Sequence, residues 1–171
     1  QEYRDYIDTH KENVKRAYWK LVRNYAEEYL SPQSLEILDR NIDHHDEDKD
    51  IDFIFHAYRK NHFPVDEKEK ETSQEEYEIA WDYHKKINPH HWEFFLDDND
   101  EEFTNPELME EEIEIYKIAY LEMLSDWLSF TFKIAREEIG KGDGISTKGD
   151  SIEFESWYNK NKDTSTITRL V

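Results

Sequence analysis

The sequence contains no cysteine, and this absence limits the chemistry open to it. A disulfide framework, a cysteine nucleophile and a thiolate metal site are all excluded. Any metal ion bound here would take nitrogen and oxygen ligands from histidine, aspartate, glutamate, asparagine or water. The absence also fits a reducing compartment, so we expect a cytoplasmic protein.

Glycine and proline are also scarce, with four of each in 171 residues. Strands joined by tight turns need these residues, whereas helices avoid them. Aromatic residues make up 15% of the chain and supply material for a core, so the 37% of charged residues does not indicate disorder. The composition therefore predicts an all-α protein.

Basic residues are outnumbered by acidic residues, 22 against 42, which gives a formal net charge of −20. A field of this sign repels nucleic-acid phosphates and anionic membranes, so we expect neither direct nucleic-acid binding nor membrane association. No apolar run approaches the ~18 residues that a membrane-spanning helix needs. Three interpretations of the charge stay open: a solvated acidic surface, a nucleic-acid mimic that occupies a basic protein partner, and charge neutralised by bound cations.

The periodicity of apolar residues predicts a single domain, residues 1–171, built as a bundle of about six helices. Ser31 and Pro32 form an N-cap followed by a first-turn proline, and Ser73 with Glu76 resembles a capping box. The predicted helices cover residues 3–30, 32–43, 51–58, 75–87, 89–95 and 106–139. Residues 64–74 and 97–105 are predicted to be solvated loops, and residues 140–171 an irregular C-terminal tail.

The first motif that carries chemistry is the pair His45-Asp46 at a predicted helix end. Neighbouring side chains splay at a fraying helix terminus, so an imidazole and a carboxylate can both reach one cation. Arg40 could brace a carboxylate through two hydrogen bonds, and Lys49 could pair with Asp46 or hold an anion. The alternative interpretation is a solvated acidic loop.

The second motif places three histidines within eight residues. His84 and Asn88 are one turn apart on a helix face, and His90 and His91 follow, with Trp92 able to pack over them. A hydrogen-bonded structural histidine explains one of the three but not all of them. Because consecutive residues on a helix point about 100° apart, the sequence leaves open which of His90 and His91 faces inward.

The third motif lies in the long predicted helix, where Glu122 and Asp126 are four residues apart on an otherwise apolar stretch. Carboxylates buried in such a stretch need a cation or a histidine as partner. The alternative is that both lie on a polar edge of the helix. His10, in the first helix, is a further candidate ligand, although a lone helical histidine is more often simply packed.

In chain order, these histidines and aspartates resemble the pattern of the HD-domain superfamily, which comprises all-helical metal-dependent phosphohydrolases. The resemblance implies an HD-domain-like bundle with one or two divalent ions in a candidate region covering residues 10–127. The implied metal ligands are His10, His45, Asp46, His84, His91 and Asp126. The catalytic candidates are Lys49, Arg40 and Glu122.

The chain is also similar to an uncharacterised family of bacterial and phage proteins of unknown function. That family has His-Asp-x-Ser-Lys, Asn-x-His-His-Trp and Glu-Met-x-x-Asp-Trp blocks, which correspond here to residues 45–49, 88–92 and 122–127. Asp48 stands where the family has serine. No activity follows from this similarity.

The sequence therefore favours an enzyme in which a divalent metal ion (Mn, Fe, Zn or Mg) activates a water molecule. The predicted substrate is a nucleotide or another small phosphate ester, with Lys49 or Arg40 steadying the developing charge. An oxygenase with two irons is an alternative reaction on such a scaffold. The other hypotheses are a non-catalytic acidic protein that binds a basic partner, and a structural domain whose polar residues form a hydrogen-bond network.

Overall fold

A computed structural model describes residues 1–95 and 110–130, and these residues contain helices and no strand. The all-α prediction is confirmed. The predicted acidic loop at 97–105 and the tail at 140–171 lie outside the described residues. The elements are α1 (Glu2–Ala17), a π-helical turn (Tyr18–Val22), α2 (Arg23–Tyr29), α3 (Pro32–Asp43), a 3₁₀ turn (Glu47–Asp50), α4 (Asp52–His62), α5 (Glu67–Thr72), α6 (Gln74–Ile87), a second 3₁₀ turn (Trp92–Phe95) and α7 (Glu110–Ser129).

The chain divides into two compact units, with the boundary inside α1. Within the described residues, the first unit comprises residues 1–11 and 44–95, and the second comprises residues 12–43 and 110–130. The prediction of a single folding domain stays a prediction. None of the described helices has the length and apolarity to cross a membrane.

The core of the first unit lies between α4 and α6, with the start of α1 beside them. Aromatic rings fill much of it, and the Tyr58 and Tyr77 rings meet edge to face at 5.2 Å between centroids. Such edge-to-face pairs add to the stabilisation from area burial. The buried residues of this core are Tyr3, Ile54, Ala57, Tyr58 and Ala80, with Phe55, Phe63, Tyr77 and Trp81 packed against them.

The core of the second unit forms where α3 and α7 pack together beside the end of α1, the π-helical turn and α2. From residue 14 to residue 30, a buried residue recurs at every fourth position. Because an α-helix turns once in 3.6 residues, the line of buried residues shifts around the helix by about 40° at each step of four. A wider π-helical turn takes up part of this drift. The recurring residues are Val14, Tyr18, Val22, Ala26 and Leu30, and the turn covers Tyr18–Val22.

The prediction of a loop over residues 64–74 was wrong, because this stretch contains α5. Asp66 caps the helix, its side chain accepting a 2.8 Å hydrogen bond from the backbone N–H of Glu69. Arg59 then holds the Glu69 carboxylate with two hydrogen bonds of 2.8 Å each. The helix has no apolar stripe, so periodicity did not reveal it, although Asp66 followed by Glu69 is itself a helix-start pattern.

The predicted N-termini of the helices that begin near a proline or a serine are confirmed only in part. The α3 start is confirmed, since the Ser31 hydroxyl accepts a hydrogen bond from the Ser34 N–H at 3.2 Å. The Ser73 capping box was wrong, because the Ser73 hydroxyl instead donates to the Lys70 carbonyl at 3.1 Å. The helix predicted over residues 89–95 begins only at Trp92, as a 3₁₀ turn.

Candidate metal centre

Separate stretches of the first unit bring five histidines into one cluster, four of them within 3.6 Å of the Asp46 carboxylate. The chain leaves α6 at Asn88, whose backbone is extended (φ −106°, ψ 112°) because Pro89 follows it. That departure folds the next histidines back toward the last turn of the helix. His10 comes from α1, His45 and Asp46 from the turn after α3, His84 from α6, and His90 and His91 from the turn that follows α6.

Asp46 lies at the middle of this cluster and adopts a left-handed backbone conformation, with φ 60° and ψ 22°. Aspartate is among the non-glycine residues that tolerate this region, although it costs free energy. The turn directs the Asp46 carboxylate inward, and the residue is 2% exposed. Strained backbone of this kind concentrates at functional sites, which makes Asp46 a candidate functional residue.

The two oxygens of Asp46 have different neighbours. Oδ2 lies 2.8 Å from Lys49 Nζ, 3.2 Å from His10 Nε2 and 3.6 Å from His45 Nε2. Oδ1 lies 3.5 Å from Nε2 of His84 and 3.5 Å from Nε2 of His90. Among the described residues, Oδ1 accepts no hydrogen bond of ordinary geometry.

The orientation of His84 is fixed by Asp48. The Nδ1 of His84 lies 2.7 Å from Oδ2 of Asp48, and because a carboxylate only accepts, Nδ1 carries the proton and donates it. The amide of Asn88 donates to the His84 carbonyl at 2.8 Å. The Nε2 lone pair of His84 therefore faces the cluster, 2.9 Å from Nε2 of His91.

The imidazole rings pack against one another and against one tryptophan. Ring centroids are 4.2 Å apart for His45 and His90, and 4.5 Å apart for His90 and His91. Trp81, one turn before His84 on α6, meets the His91 ring edge to face at 5.1 Å. This packing limits the rotation of the rings, so their nitrogens are held in place before any ligand arrives.

Burial and charge set the protonation states of the cluster. Burial raises the pKa of Asp46, but the Lys49 ammonium and the nearby imidazoles of His45, His10 and His90 outweigh it and hold that pKa well below its usual range. For His84, burial lowers the pKa by more than the hydrogen bond to Asp48 raises it. At neutral pH the cluster therefore presents an ionised carboxylate and a neutral imidazole, the states in which both groups bind metals.

The donor set fits a divalent metal ion. The first unit contains three groups of side chains that could hold an ion, and within each group the ligand atoms lie within 4.8 Å of one another. Each group combines an imidazole nitrogen with further imidazole or carboxylate donors. Nitrogen and oxygen donors of this kind suit zinc, iron, manganese and related ions. The groups are His84 with His90 and His91, His10 with His45 and Asp46, and Asp46 with Asp48 and His84.

The structure gathers most of the predicted ligands. Those that it brings together in the first unit are His10, His45, Asp46, His84 and His91. Lys49 pairs with Asp46, one of the two contacts that the sequence left open for it, and its catalytic role stays a prediction. The remaining predicted residues belong to the second unit. There, Arg40 is exposed on α3, and Glu122 and Asp126 lie on α7, so their participation stays a prediction.

Glu122 has a partner within its own unit. It is 4% exposed, and its Oε2 accepts a hydrogen bond of 3.2 Å from Nδ2 of Asn41 on α3. Ser125, on the same helix, donates to the Leu121 carbonyl at 2.7 Å. This arrangement agrees with the interpretation of Glu122 as part of a hydrogen-bond network.

Sequence reasoning missed three members of the site. Asp48 was noted only as a departure from a serine pattern, and His90 was left as an alternative to His91, whereas both histidines face the cluster. Trp81 carried no motif. Its position three residues before His84, on the same face of α6, was the one signal that could have revealed it.

Comparison with known proteins supports the similarity found in the sequence blocks. No curated protein and no solved structure matches the chain. The likeness to HD-domain proteins stays an interpretation of residue order. The model of a family of unknown function, DUF5662, matches residues 1–171, and the chain therefore belongs to that family.

Proposed function

We propose that the protein is a metal-dependent phosphohydrolase acting on a nucleotide or another small phosphate ester, with its centre at the histidine cluster of the first unit. The observation that carries the proposal is the set of five histidines around one buried, ionised aspartate. A structural hydrogen-bond network needs donors that match acceptors, and this cluster departs from that requirement at one point.

That point is the contact between His84 and Asp46. His84 donates from Nδ1 to Asp48, so its Nε2 is an acceptor, and it faces Asp46 Oδ1, another acceptor, at 3.5 Å. Two buried acceptors facing each other are unfavourable, and although His91 Nε2 lies 2.9 Å from His84 Nε2, Asp46 Oδ1 accepts no hydrogen bond of ordinary geometry among the described residues to replace the one lost on leaving water. A cation bound to both atoms removes this cost.

The chain supplies the other groups that phosphate hydrolysis needs. A divalent ion at such a centre lowers the pKa of bound water to about 7, which makes hydroxide available near neutral pH. The Lys49 ammonium, 14% exposed beside Asp46, would attract the phosphate and steady the charge on its oxygens. Arg40, Glu122 and Asp126 stay further candidates for substrate or metal contacts.

The competing proposal, an acidic protein that occupies a basic partner, is favoured by the net charge of −20. It does not account for histidines gathered away from solvent, since surface charge mimicry needs exposed carboxylates. We therefore place metal-dependent hydrolysis first.

Metal analysis tests the proposal directly. The full chain is purified without chelator for elemental analysis, then stripped and titrated with Mn²⁺, Fe²⁺, Zn²⁺ and Mg²⁺ while the melting temperature is followed. We expect one of these ions to bind and to raise the melting temperature, and His84→Gln to abolish binding. His56→Gln, which changes an exposed histidine of α4, is the matched control.

Hydrolysis of a panel of nucleotides and simple phosphate esters then follows with the loaded protein. Activity that disappears in His84→Gln and persists in His56→Gln supports the proposal. If none of the four ions binds or changes the melting temperature, the proposed metal centre is wrong. If an ion binds but no substrate is hydrolysed, the metal centre stands and the proposed phosphohydrolase activity is wrong.

A further inference from the structure

The two sides of the Asp46 carboxylate differ in charge, and this asymmetry predicts how many metal ions the centre holds. On the Oδ2 side, a lysine ammonium already forms an ion pair at 2.8 Å, next to His10. On the Oδ1 side, the nearest nitrogens are the Nε2 atoms of His84 and His90, each at 3.5 Å.

Lys49 is built into its position. It lies three residues after Asp46 in the 3₁₀ turn, and its backbone N–H donates to the Asp46 carbonyl at 3.1 Å. Its ammonium also lies 5.4 Å from the centroid of the Tyr58 ring, a cation–π contact with the core of the unit. The side chain is 14% exposed, so the backbone and the ring both hold this positive charge at Oδ2.

A divalent ion bound to Oδ2 would share one oxygen with this ammonium. The two cations would lie within about 4–5 Å of each other, where repulsion between a double and a single charge is twice that between two single charges. Among the residues that the structure describes, the ion-pair contacts of Oδ1 are with His84 and His90, and these imidazoles can turn lone pairs toward an ion. Charge therefore separates the two sides even though both carry histidines.

We propose that Lys49 takes the place of a second metal ion, so that the centre binds a single divalent ion on the Oδ1 side of Asp46. The ion's ligands would be Asp46 Oδ1 and the imidazoles of His84, His90 and His91. Four protein ligands leave positions of an octahedral ion open for water and substrate. On the other side, His10 and His45 surround a permanent ion pair of Asp46 with Lys49.

This inference rests on the proposed metal binding and adds stoichiometry and position to it. It also assigns Lys49 a defined part: a fixed positive charge beside the metal. A phosphate dianion placed between a metal ion and an ammonium contacts positive charge on both sides. A centre of this kind would select phosphate over neutral substrates.

The test counts ions in the full-length chain, stripped with chelator and titrated with Mn²⁺. Calorimetry and elemental analysis after gel filtration give the stoichiometry, and electron paramagnetic resonance separates an isolated Mn²⁺ from an exchange-coupled pair. We expect one ion in the wild type and in Lys49→Arg, which keeps the charge, and two ions in Lys49→Gln. Lys49→Met, which keeps the apolar stem against Tyr58, is the second charge-removing variant.

Position is tested in the same assay. In the wild type, we expect His91→Gln to weaken Mn²⁺ binding at least tenfold and His10→Gln to leave it within about twofold. In the Lys49→Gln background, His10→Gln should return the stoichiometry from two ions to one. Thermal melting of each variant without metal shows that it is folded before ions are counted.

Several results would overturn the inference. The inference is contradicted if the wild type binds two coupled ions. It is also contradicted if Lys49→Gln and Lys49→Met are both folded and each still binds a single ion. If His10→Gln abolishes binding of the single wild-type ion, that ion lies on the Oδ2 side of Asp46, which contradicts the inference. A wild type that binds no ion fails differently, because it removes the proposed metal centre itself.

Discussion

At the scale of single residues, the hydrogen bond between Asp48 and His84 decides which nitrogen of the imidazole is offered to the centre. Partners of this kind fix the tautomer and increase the basicity of a ligand, and their loss typically weakens metal binding about 10–100-fold. We expect Asp48→Ala to weaken Mn²⁺ binding by that factor. Asp48→Asn should weaken it less, because the amide oxygen can still accept from Nδ1.

Nitrogen NMR of the metal-free protein separates this role from a general loss of structure. In the wild type, the His84 signals should be those of the Nδ1–H tautomer, and Asp48→Ala should shift them toward a mixture of tautomers. An unchanged tautomer with weakened binding would mean that Asp48 acts by its charge and not by orientation.

The backbone of Asp46 allows a second prediction at this scale, which concerns stability without metal. Left-handed backbone costs most residues about 1–2 kcal/mol, and asparagine and aspartate less than alanine. Both Asp46→Asn and Asp46→Ala remove the charge, so their difference reports the backbone cost at φ 60° together with the hydrogen bonds that the Asn amide keeps. We expect a free energy of unfolding about 1 kcal/mol lower for the alanine variant.

Urea unfolding in the presence of chelator measures both variants. Equal stability of the two would show that the turn relaxes to ordinary backbone once the carboxylate is gone. The His56→Gln protein is the control, because its substitution is at an exposed position of α4 and we expect it to leave the free energy of unfolding unchanged.

At the scale of elements, the sequence predicted the helices with apolar stripes and missed the one without. The stripe from Val14 to Leu30 and the N-cap of Ser31 are local signals, and both were found in the structure. The helix α5 is stabilised by polar contacts, Asp66 at its start and Arg59 at its side, which periodicity does not detect. Its prediction needed the capping pattern alone.

The cluster was predictable to the extent that its members are close in sequence. His84 and His91 are seven residues apart, which spans the end of α6, and His45 adjoins Asp46. The approach of His10 to Asp46, at 3.2 Å, depends on how α1 packs in the first unit. The left-handed turn at Asp46 and the choice of Asp48 as partner of His84 also depend on tertiary packing, so local pattern could not supply them.

The contact between α3 and α7 in the second unit gives a prediction about pH. Hydrogen bonds from Lys117, Ser34 and the Ser31 N–H lower the pKa of Glu114 to about 2, from an ordinary 4.5. Because the folded pKa is the lower one, this stabilisation is complete above pH 4.5 and is lost as the pH falls toward 2. Glu114→Gln should therefore destabilise the protein at pH 7 by about 1 kcal/mol, since solvent screens a partly exposed pair.

Urea unfolding at pH 7 and at pH 3 measures this effect. The difference in unfolding free energy between wild type and Glu114→Gln should be clearly smaller at pH 3. Glu36→Gln, an exposed position on α3, should show little difference at either pH. A Glu114→Gln effect that is independent of pH would indicate lost packing in place of a lost charge.

At the scale of the whole molecule, the net charge of −20 makes the chain repel itself. Salt screens such repulsion, with a Debye length of about 30 Å at 0.01 M and about 8 Å at 0.15 M. We expect the melting temperature of the metal-free protein to rise by about 2–4 °C over this range, corresponding to about 1 kcal/mol. A fall with salt would mean that attractive ion pairs outweigh the net repulsion.

Metal-linked stability tests whether the chain folds as the single domain that the sequence predicts. Mn²⁺ at 100 times its dissociation constant stabilises the folded state that binds it by about 2.7 kcal/mol. Trp81 packs against His91 in the first unit, and Trp19 lies in the π-helical turn of the second. If the chain unfolds cooperatively, two variants that keep only Trp81 or only Trp19 of the five tryptophans should each give one fluorescence transition, and Mn²⁺ should raise both equally. Two transitions, with only the Trp81 signal raised by Mn²⁺, would show instead that the units unfold separately and that the ion stabilises the first alone.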